Sequence, residues 1–483
     1  MGMLLNIIYL LTLVLAMPWL LWQRLRHGKY REGWSARLLG KIPRRKGRSR
    51  CIWLHAVSVG EVNLLAPILA RFERLHPDWE CVISTTTQAG FALAQKRYAP
   101  RTVFYMPLDF TWAVRRAMRR IRPDLLVLAE LELWPNLIRA AKAFRAKVAV
   151  INGRLSQRSF RGYQRIGWLA RRTLAQVDLI AVQSDEYAWR FRKLGAEVSK
   201  VHVTGSVKFD GASTDRSNAT TVKLAALAGI QDGDVVFLAG STQAPEESLA
   251  IDLFRRVSQD HPRLRLILVP RHPERFEEVA RLLDKSGLAW QRRSGIGKES
   301  GDSGQETVVS GRVLSTKYLV PSTEIPSPTP NTKHQTPKTD PQPPLTTHHS
   351  PLTNPVLLVD AVGELAAWWG TAQIAFVGGS LGNRGGQNMI EPAAYGAAVS
   401  FGPNTWNFRD VVSLLLAQEA AIVVRNPAEL EAFVRRCLAD ADYVRQIGSR
   451  AQQLVQRQIG ASDRTVELLR LLSHRDVTRR AAA

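Results

Sequence analysis

Glu61 ends the stretch CIWLHAVSVGE, residues 51–61, where an apolar strand pattern hands over to a helical one, EVNLLAPILARFERL. A lone carboxylate there has two readings. Acids in a first helical turn complement the helix dipole. A carboxylate at the mouth of a cleft can also serve as a general base. Glu130 and Glu132 in LAELELWPN follow another apolar run, where carboxylates are costly unless solvated or partnered. INGRLSQRS supplies Arg154 and Arg158, and GSVKFD supplies Lys208 and Asp210. Each of these charges by itself reads equally well as ordinary surface. Together they gather at one sheet edge and point to a cleft.

The second half carries a different chemistry. GSTQAPEES, residues 240–248, offers backbone amides and hydroxyls that suit a phosphate, or simply a capped helix start. PRHPERF places Arg271 and His272 just past a strand, in reach of an anion. VGGSLGNRGGQNMIEPAAYG, residues 377–396, is a glycine-rich loop running into a helix expected at about Asn388, with Glu391 in its first turn. Glycine permits close backbone approach and a helix N-terminus favours an anion, while a nearby carboxylate suits ribose hydroxyls. These are the physical requirements of a nucleotide-sugar site. No GxxxxGK[ST] or HExxH spacing occurs, so P-loop chemistry and a metal site are not expected.

The elements that must position these groups alternate. From about 50 to 205, seven apolar runs alternate with amphipathic helical patterns, and a second series begins near 219. Alternating β and α implies parallel sheets covered on both faces, here an α/β chain with two Rossmann-like domains. In such sheets ligands sit beyond the carboxyl ends of the strands. The expected boundaries are an anchor at 1–23, a first domain at 24–207, a hinge at 208–218 and a second domain at 219–470. Residues 291–355 include PSTEIPSPTPNTKHQTPKTDPQPPLTTHHSP and read as a disordered Pro/Thr-rich insertion.

Composition narrows the partners. The chain has 483 residues with 66 Lys+Arg against 42 Asp+Glu, a net charge of +24 that favours a polyanionic partner. Three distant cysteines, Cys51, Cys81 and Cys437, suggest neither a disulfide framework nor a zinc site and fit a reducing compartment. Residues 3–22, MLLNIIYLLTLVLAMPWLLW, are about long enough to span a bilayer, with Trp19 and Trp22 at one end and Arg24, Arg26, Lys29 and Arg31 beyond. That asymmetry predicts a chain held on the cytoplasmic side. An anionic membrane surface is therefore expected as partner ahead of nucleic acid.

HAVSVGE, ELELWPN, INGRLS, VTGSVKFD, PRHPERF, VGGSL and GQNMIEPAAYG occur in this order behind an apolar N-terminus. In that arrangement the chain resembles the 3-deoxy-D-manno-octulosonic acid (Kdo) transferases of lipopolysaccharide synthesis, along nearly its whole length outside 291–355. The resemblance implies a GT-B fold, two Rossmann-like domains facing a cleft. It also implies inverting, metal-independent transfer of Kdo from CMP-Kdo to a phosphorylated lipid A precursor at the inner membrane, with no cofactor. On that resemblance Glu61 is the general base, and Glu130 and Lys208 support the transition state. Arg271, His272, Val362, Gly363, Glu364, Asn388, Met389, Ile390 and Glu391 match the CMP site. The chain departs from the family pattern at Gln243 and Gln387, where the related loops carry histidine. The rival expectations are another GT-B enzyme with a different nucleotide sugar, and a non-catalytic anionic-lipid-binding protein.

Overall fold

The computed structural model describes residues 2–27, 32–296 and 355–481. Most of the expected 291–355 insertion lies outside the described residues. Its first residues do not: 291 and 292 complete a strand at a sheet edge, and 293–295 form a short 3-10 turn.

Two seven-stranded sheets form the frame. The first contains β1 (Cys51–Ala56), β2 (Glu80–Thr85), β3 (Thr102–Tyr105), β4 (Leu125–Ala129), β5 (Lys147–Gly153), β6 (Leu179–Val182) and β7 (Val201–Val203). Its order is β3-β2-β1-β4-β5-β6-β7. The second contains β8 (Val235–Thr242), β9 (Leu264–Pro270), β10 (Trp290–Arg292), β11 (Val356–Leu358), β12 (Ile374–Val377), β13 (Ala398–Phe401) and β14 (Ala421–Val423). Its order is β10-β11-β9-β8-β12-β13-β14. The pairings in both sheets are parallel.

The alternation of side chains along each strand builds a core on either face. In β1, Cys51 and Trp53 join one apolar cluster, and Ile52, Leu54 and Ala56 join the other. All six residues are buried, which is why the run is apolar throughout rather than alternating. In β8, Val236 and Leu238 pack on one face while Phe237 and Ala239 pack on the opposite one.

The helix Val59–Leu75 begins where β1 ends, capped by Ser58 and burying Val62, Leu65, Ile68, Leu69 and Phe72. The spacing of these residues turns one stripe toward the sheet. At the other end of the chain, the helix Ala461–Ala481 does not pack where expected. Its residues Ala461, Val466 and Leu469 are buried with Ile52 and Leu54 of the first sheet. The second domain's expected limit of 470 is therefore corrected: from 461 the chain has crossed back onto the first. Amphipathic periodicity predicts that this helix must bury a stripe, but not against which sheet.

Asp210 fastens the crossing. Its carboxylate accepts N–H bonds from Gly460 at 2.7 Å, Ala461 at 3.2 Å and Ser462 at 2.6 Å. A charge that reads as part of the hinge is thus the cap of the returning helix. Arg464 donates to the Thr204 carbonyl at 2.8 Å from the same helix. The helix Gly2–His27 carries an 18-residue stretch, Gly2–Trp19, long and apolar enough to cross a membrane by length and composition. Its Asn6 and Tyr9 bond to Thr111 and Asp109 of the first domain.

Candidate active site

Glu61 lies at the carboxyl end of β1, in the first turn of Val59–Leu75. Its Oε2 accepts the Val57 N–H at 2.8 Å and its Oε1 the Ser58 hydroxyl at 3.1 Å. The Ser58 oxygen in turn accepts the Glu61 N–H at 3.4 Å, a reciprocal cap. The helix-start reading of Glu61 is thus met by a reciprocal cap. Burial, with help from the neighbouring carboxylates of Glu130 and Glu132, pushes its pKa up to about 7 against the hydrogen bonds from Val57 and Ser58. A carboxylate tuned near neutrality is suited to accept a proton from an alcohol.

Glu130 and Glu132 follow β4, the strand next to β1. Glu130 adopts a left-handed backbone, φ 56°, fastened by its N–H to the Ile151 carbonyl at 2.9 Å. Non-glycine residues seldom take this conformation, and it turns the chain sharply at the strand end. Arg154, beyond β5, brings its Nε within 4.0 Å of Glu130 Oε2. Glu132 accepts the Trp134 indole N–H at 2.7 Å. Burial raises its pKa, and Glu130 adds to the rise. His55 stands 3.9 Å from Glu132 through Nε2, while its Nδ1 bonds to Ser84 at 3.0 Å. Complete burial lowers the His55 pKa to about 4, so this imidazole is neutral.

Lys208 stands beyond β7 in the turn Val207–Phe209. Asn152 holds that turn by accepting the Val207 N–H at 3.1 Å. Lys208 lines a cavity of about 420 Å³ between the two domains, with Gln183, Tyr187 and Asp410. The fold thus assembles Glu61, Glu130 and Arg154 at the carboxyl edge of the first sheet and leads Lys208 into the cleft. Arg158 is exposed on the helix Gln157–Arg165.

The second sheet corrects the expected phosphate loop. Glu246, only 1% exposed, points into the loops after β8 and β12. Its Oε1 accepts the N–H groups of Ser380 and Leu381, each at 3.0 Å. Its Oε2 accepts those of Gly379 at 2.7 Å and Gln243 at 3.0 Å. Four of the amides expected to face an anion are therefore occupied by a carboxylate of the chain itself. Both departures from the family pattern meet here. A Cβ built at Gly379 would lie 3.2 Å from Gln387 Nε2 and 3.5 Å from Gln243 Nε2.

Arg271 and His272 are exposed just beyond β9. Val362 and Gly363 follow β11, Val362 being 79% exposed and Gly363 left-handed at φ 95°. Glu364 is already engaged by Arg293, at 3.0 and 2.9 Å, and by the Trp368 indole at 3.1 Å. Asn388 donates to Glu391 at 2.9 Å and accepts the Ile390 N–H at 3.0 Å. Burial raises the Glu391 pKa, opposed by that bond from Asn388. Met389 and Ile390, expected at the nucleotide, have their side chains buried in the second core. Only their backbone remains for a ligand. The helix there, Ile390–Ala394, starts two residues later than expected.

Sequence reasoning passed over Glu246, His55 and Asp410. Adjacent acids at a helix start, Glu246-Glu247, were the available signal for the first. His55 lay inside the HAVSVGE motif. Asp410 had none, since its partner Arg154 is 256 residues away.

Residues 32–211 match the family model for 3-deoxy-D-manno-octulosonic-acid transferase (kdotransferase). The 3-deoxy-D-manno-octulosonic acid transferase of Bordetella pertussis is 30% identical over 428 residues, covering 86% of each chain. That of Chlamydophila psittaci is 28% identical over 410 residues, 84% of this chain and 82% of the relative. In fold, the chain is similar to the UDP-GlcNAc 2-epimerase from Neisseria meningitidis, with TM-score 0.51 and 12% identity over 87% of this chain and 99% of the other. With two Rossmann-like domains facing a cleft and relatives matched along most of its length, the chain belongs to the 3-deoxy-D-manno-octulosonic acid transferase family of GT-B glycosyltransferases.

Proposed function

We propose that the chain transfers Kdo from CMP-Kdo to a hydroxyl of a phosphorylated lipid A precursor, with inversion, at the cytoplasmic face of the inner membrane. The observation that carries this reading is Glu61, a half-buried carboxylate with its pKa near 7 at the carboxyl edge of β1. The acceptor oxygen attacks the anomeric carbon as its proton passes to Glu61. The bond from that carbon to the phosphate oxygen breaks, and CMP leaves with the electron pair. Lys208 and Arg271 supply positive charge for the leaving phosphate, and Arg154 balances Glu130. His272, the 362–364 stretch, and Asn388 to Glu391 contribute to the nucleotide subsite, Met389 and Ile390 through backbone alone.

The anionic membrane surface is supported by two features. One is the apolar helix Gly2–His27. The other is the pair of helices Gln157–Arg165 and Gly167–Leu174, where exposed Ile166 and Trp168 stand among exposed Arg158, Arg161, Arg165, Arg171 and Arg172. An apolar tip ringed by cations suits an anionic lipid interface. A second reading, a different nucleotide-sugar donor, is favoured by the glutamine pair at Gly379. Amides hydrogen-bond there but carry no charge.

The test incubates the full chain with CMP-Kdo and a tetraacylated, bisphosphorylated lipid A precursor, beside Glu61→Gln, and reads the lipid by mass spectrometry. Kdo additions by the native chain that vanish in the variant support the reading and count the sugars. Absence of both CMP-Kdo binding and Kdo transfer promotes the other donor.

A further inference from the structure

Arg154 is placed between two carboxylates from different domains. Its Nε faces Glu130 Oε2 at 4.0 Å within the first domain. Its Nη1 donates to Asp410 Oδ2, and the Tyr187 hydroxyl reaches the other oxygen of Asp410 at 3.4 Å. Asp410 lies in the first turn of the helix Arg409–Ala417, whose Val411, Val412 and Leu415 are buried in the second core. That helix therefore belongs to the second domain, whereas Arg154 and Tyr187 belong to the first. The contact lies along the cavity that Lys208 also lines.

We propose that Asp410 is a positioning residue: it latches the cleft shut through Arg154 and holds that guanidinium shared between Asp410 and Glu130. The role of Glu130 here rests on the proposed function above. Exposed ion pairs contribute little, but this guanidinium is 37% exposed and Asp410 28%, so both are partly desolvated. A guanidinium shared by two carboxylates changes place when one withdraws. Opening the cleft removes Asp410 and leaves Arg154 to Glu130 alone. Closure is thus communicated to the group beside the reacting atoms, and lid or domain closure commonly completes such a site.

The experiment follows the closed fraction of the full-length chain by fluorescence transfer between one dye on an exposed position of each domain, together with kcat and the two KM values. Asp410→Asn is expected to lower the closed fraction and to reduce kcat about tenfold, with the acceptor KM nearly unchanged. The exchanged pair Arg154→Asp with Asp410→Arg is expected to restore closure but not kcat, because an acid then stands beside Glu130. A closed fraction and kcat both unaltered in Asp410→Asn overturn the proposal, as does an exchanged pair that fails to restore closure. If the native chain does not turn over CMP-Kdo, the proposed function fails, while the closed fraction still decides the latch.

Discussion

Glu61 in the first domain and Glu246 in the second are the same residue type in the first turn of a helix that follows a parallel strand. They are solvated in opposite ways. Glu246 is 1% exposed and accepts four backbone N–H bonds, two on each oxygen. Glu61 accepts one backbone N–H and one hydroxyl, and two further carboxylates face it. A carboxylate saturated by amides holds its loops in shape and has no lone pair left for a substrate. One that is desolvated and under-supplied with donors takes up a proton near neutral pH. On the proposed function, what separates the structural acid from the chemical one is the donor count around it, not its position in the helix.

Removing the chemical acid should have the largest effect. Glu61→Gln is expected to lower kcat about 10²- to 10⁴-fold, the range for a general base, with the fold retained in a thermal melt. Steady-state kinetics beside a thermal melt checks both halves. In the native chain kcat/KM should rise as pH passes through about 7, since under the proposed function only ionised Glu61 accepts the acceptor's proton. A flat profile through that range would break the comparison.

Glu246→Gln should reverse the pattern. The amide presents N–H groups to backbone donors and keeps only one acceptor oxygen, so a loss of about 2–4 kcal/mol in urea unfolding is expected. The surviving folded protein should bind CMP-Kdo more weakly, because the loops after β8 and β12 lose their common tie. Asp210→Ala, which strips the cap from the returning helix, should cost about 1–2 kcal/mol by the same measurement.

A last effect sharpens the contrast through stability. The folded pKa of Glu61 lies above its ordinary value of 4.5, at about 7, so the fold binds the proton more tightly than the unfolded chain. The native chain should therefore lose stability relative to Glu61→Gln as pH rises from about 4.5 to about 7, and level off beyond. Parallel unfolding curves at several pH values test this. A gain with rising pH would overturn the near-neutral Glu61.

Much of this was legible beforehand because it is local. The run CIWLHA and the periodic stretch after it announce a strand and a helix, and the acid between them marks the sheet edge. The edge strand β10, Trp290–Arg292, was silent because its polar residues form no apolar run. Met389 and Ile390 belong to a motif, yet a motif does not reveal which of its side chains turn inward; both turn into the core. Glu246 reads as a helix-start acid, and nothing near it in sequence announces donors from 379–381.

By itself, then, the sequence determined which segments become strands and helices, that two parallel sheets must form, and that Glu61, Glu130 and Lys208 stand at strand ends. Hydrophobic period and cap chemistry act over a few residues, so they are written locally. Only the tertiary structure decided that Ala461–Ala481 returns to the first sheet, that Asp210 caps it, and that Arg154 meets Asp410. It also decided which of two similar glutamates is left short of donors. Those outcomes depend on groups brought together from distant parts of the chain, and solvation is a property of the assembled neighbourhood rather than of any residue in it.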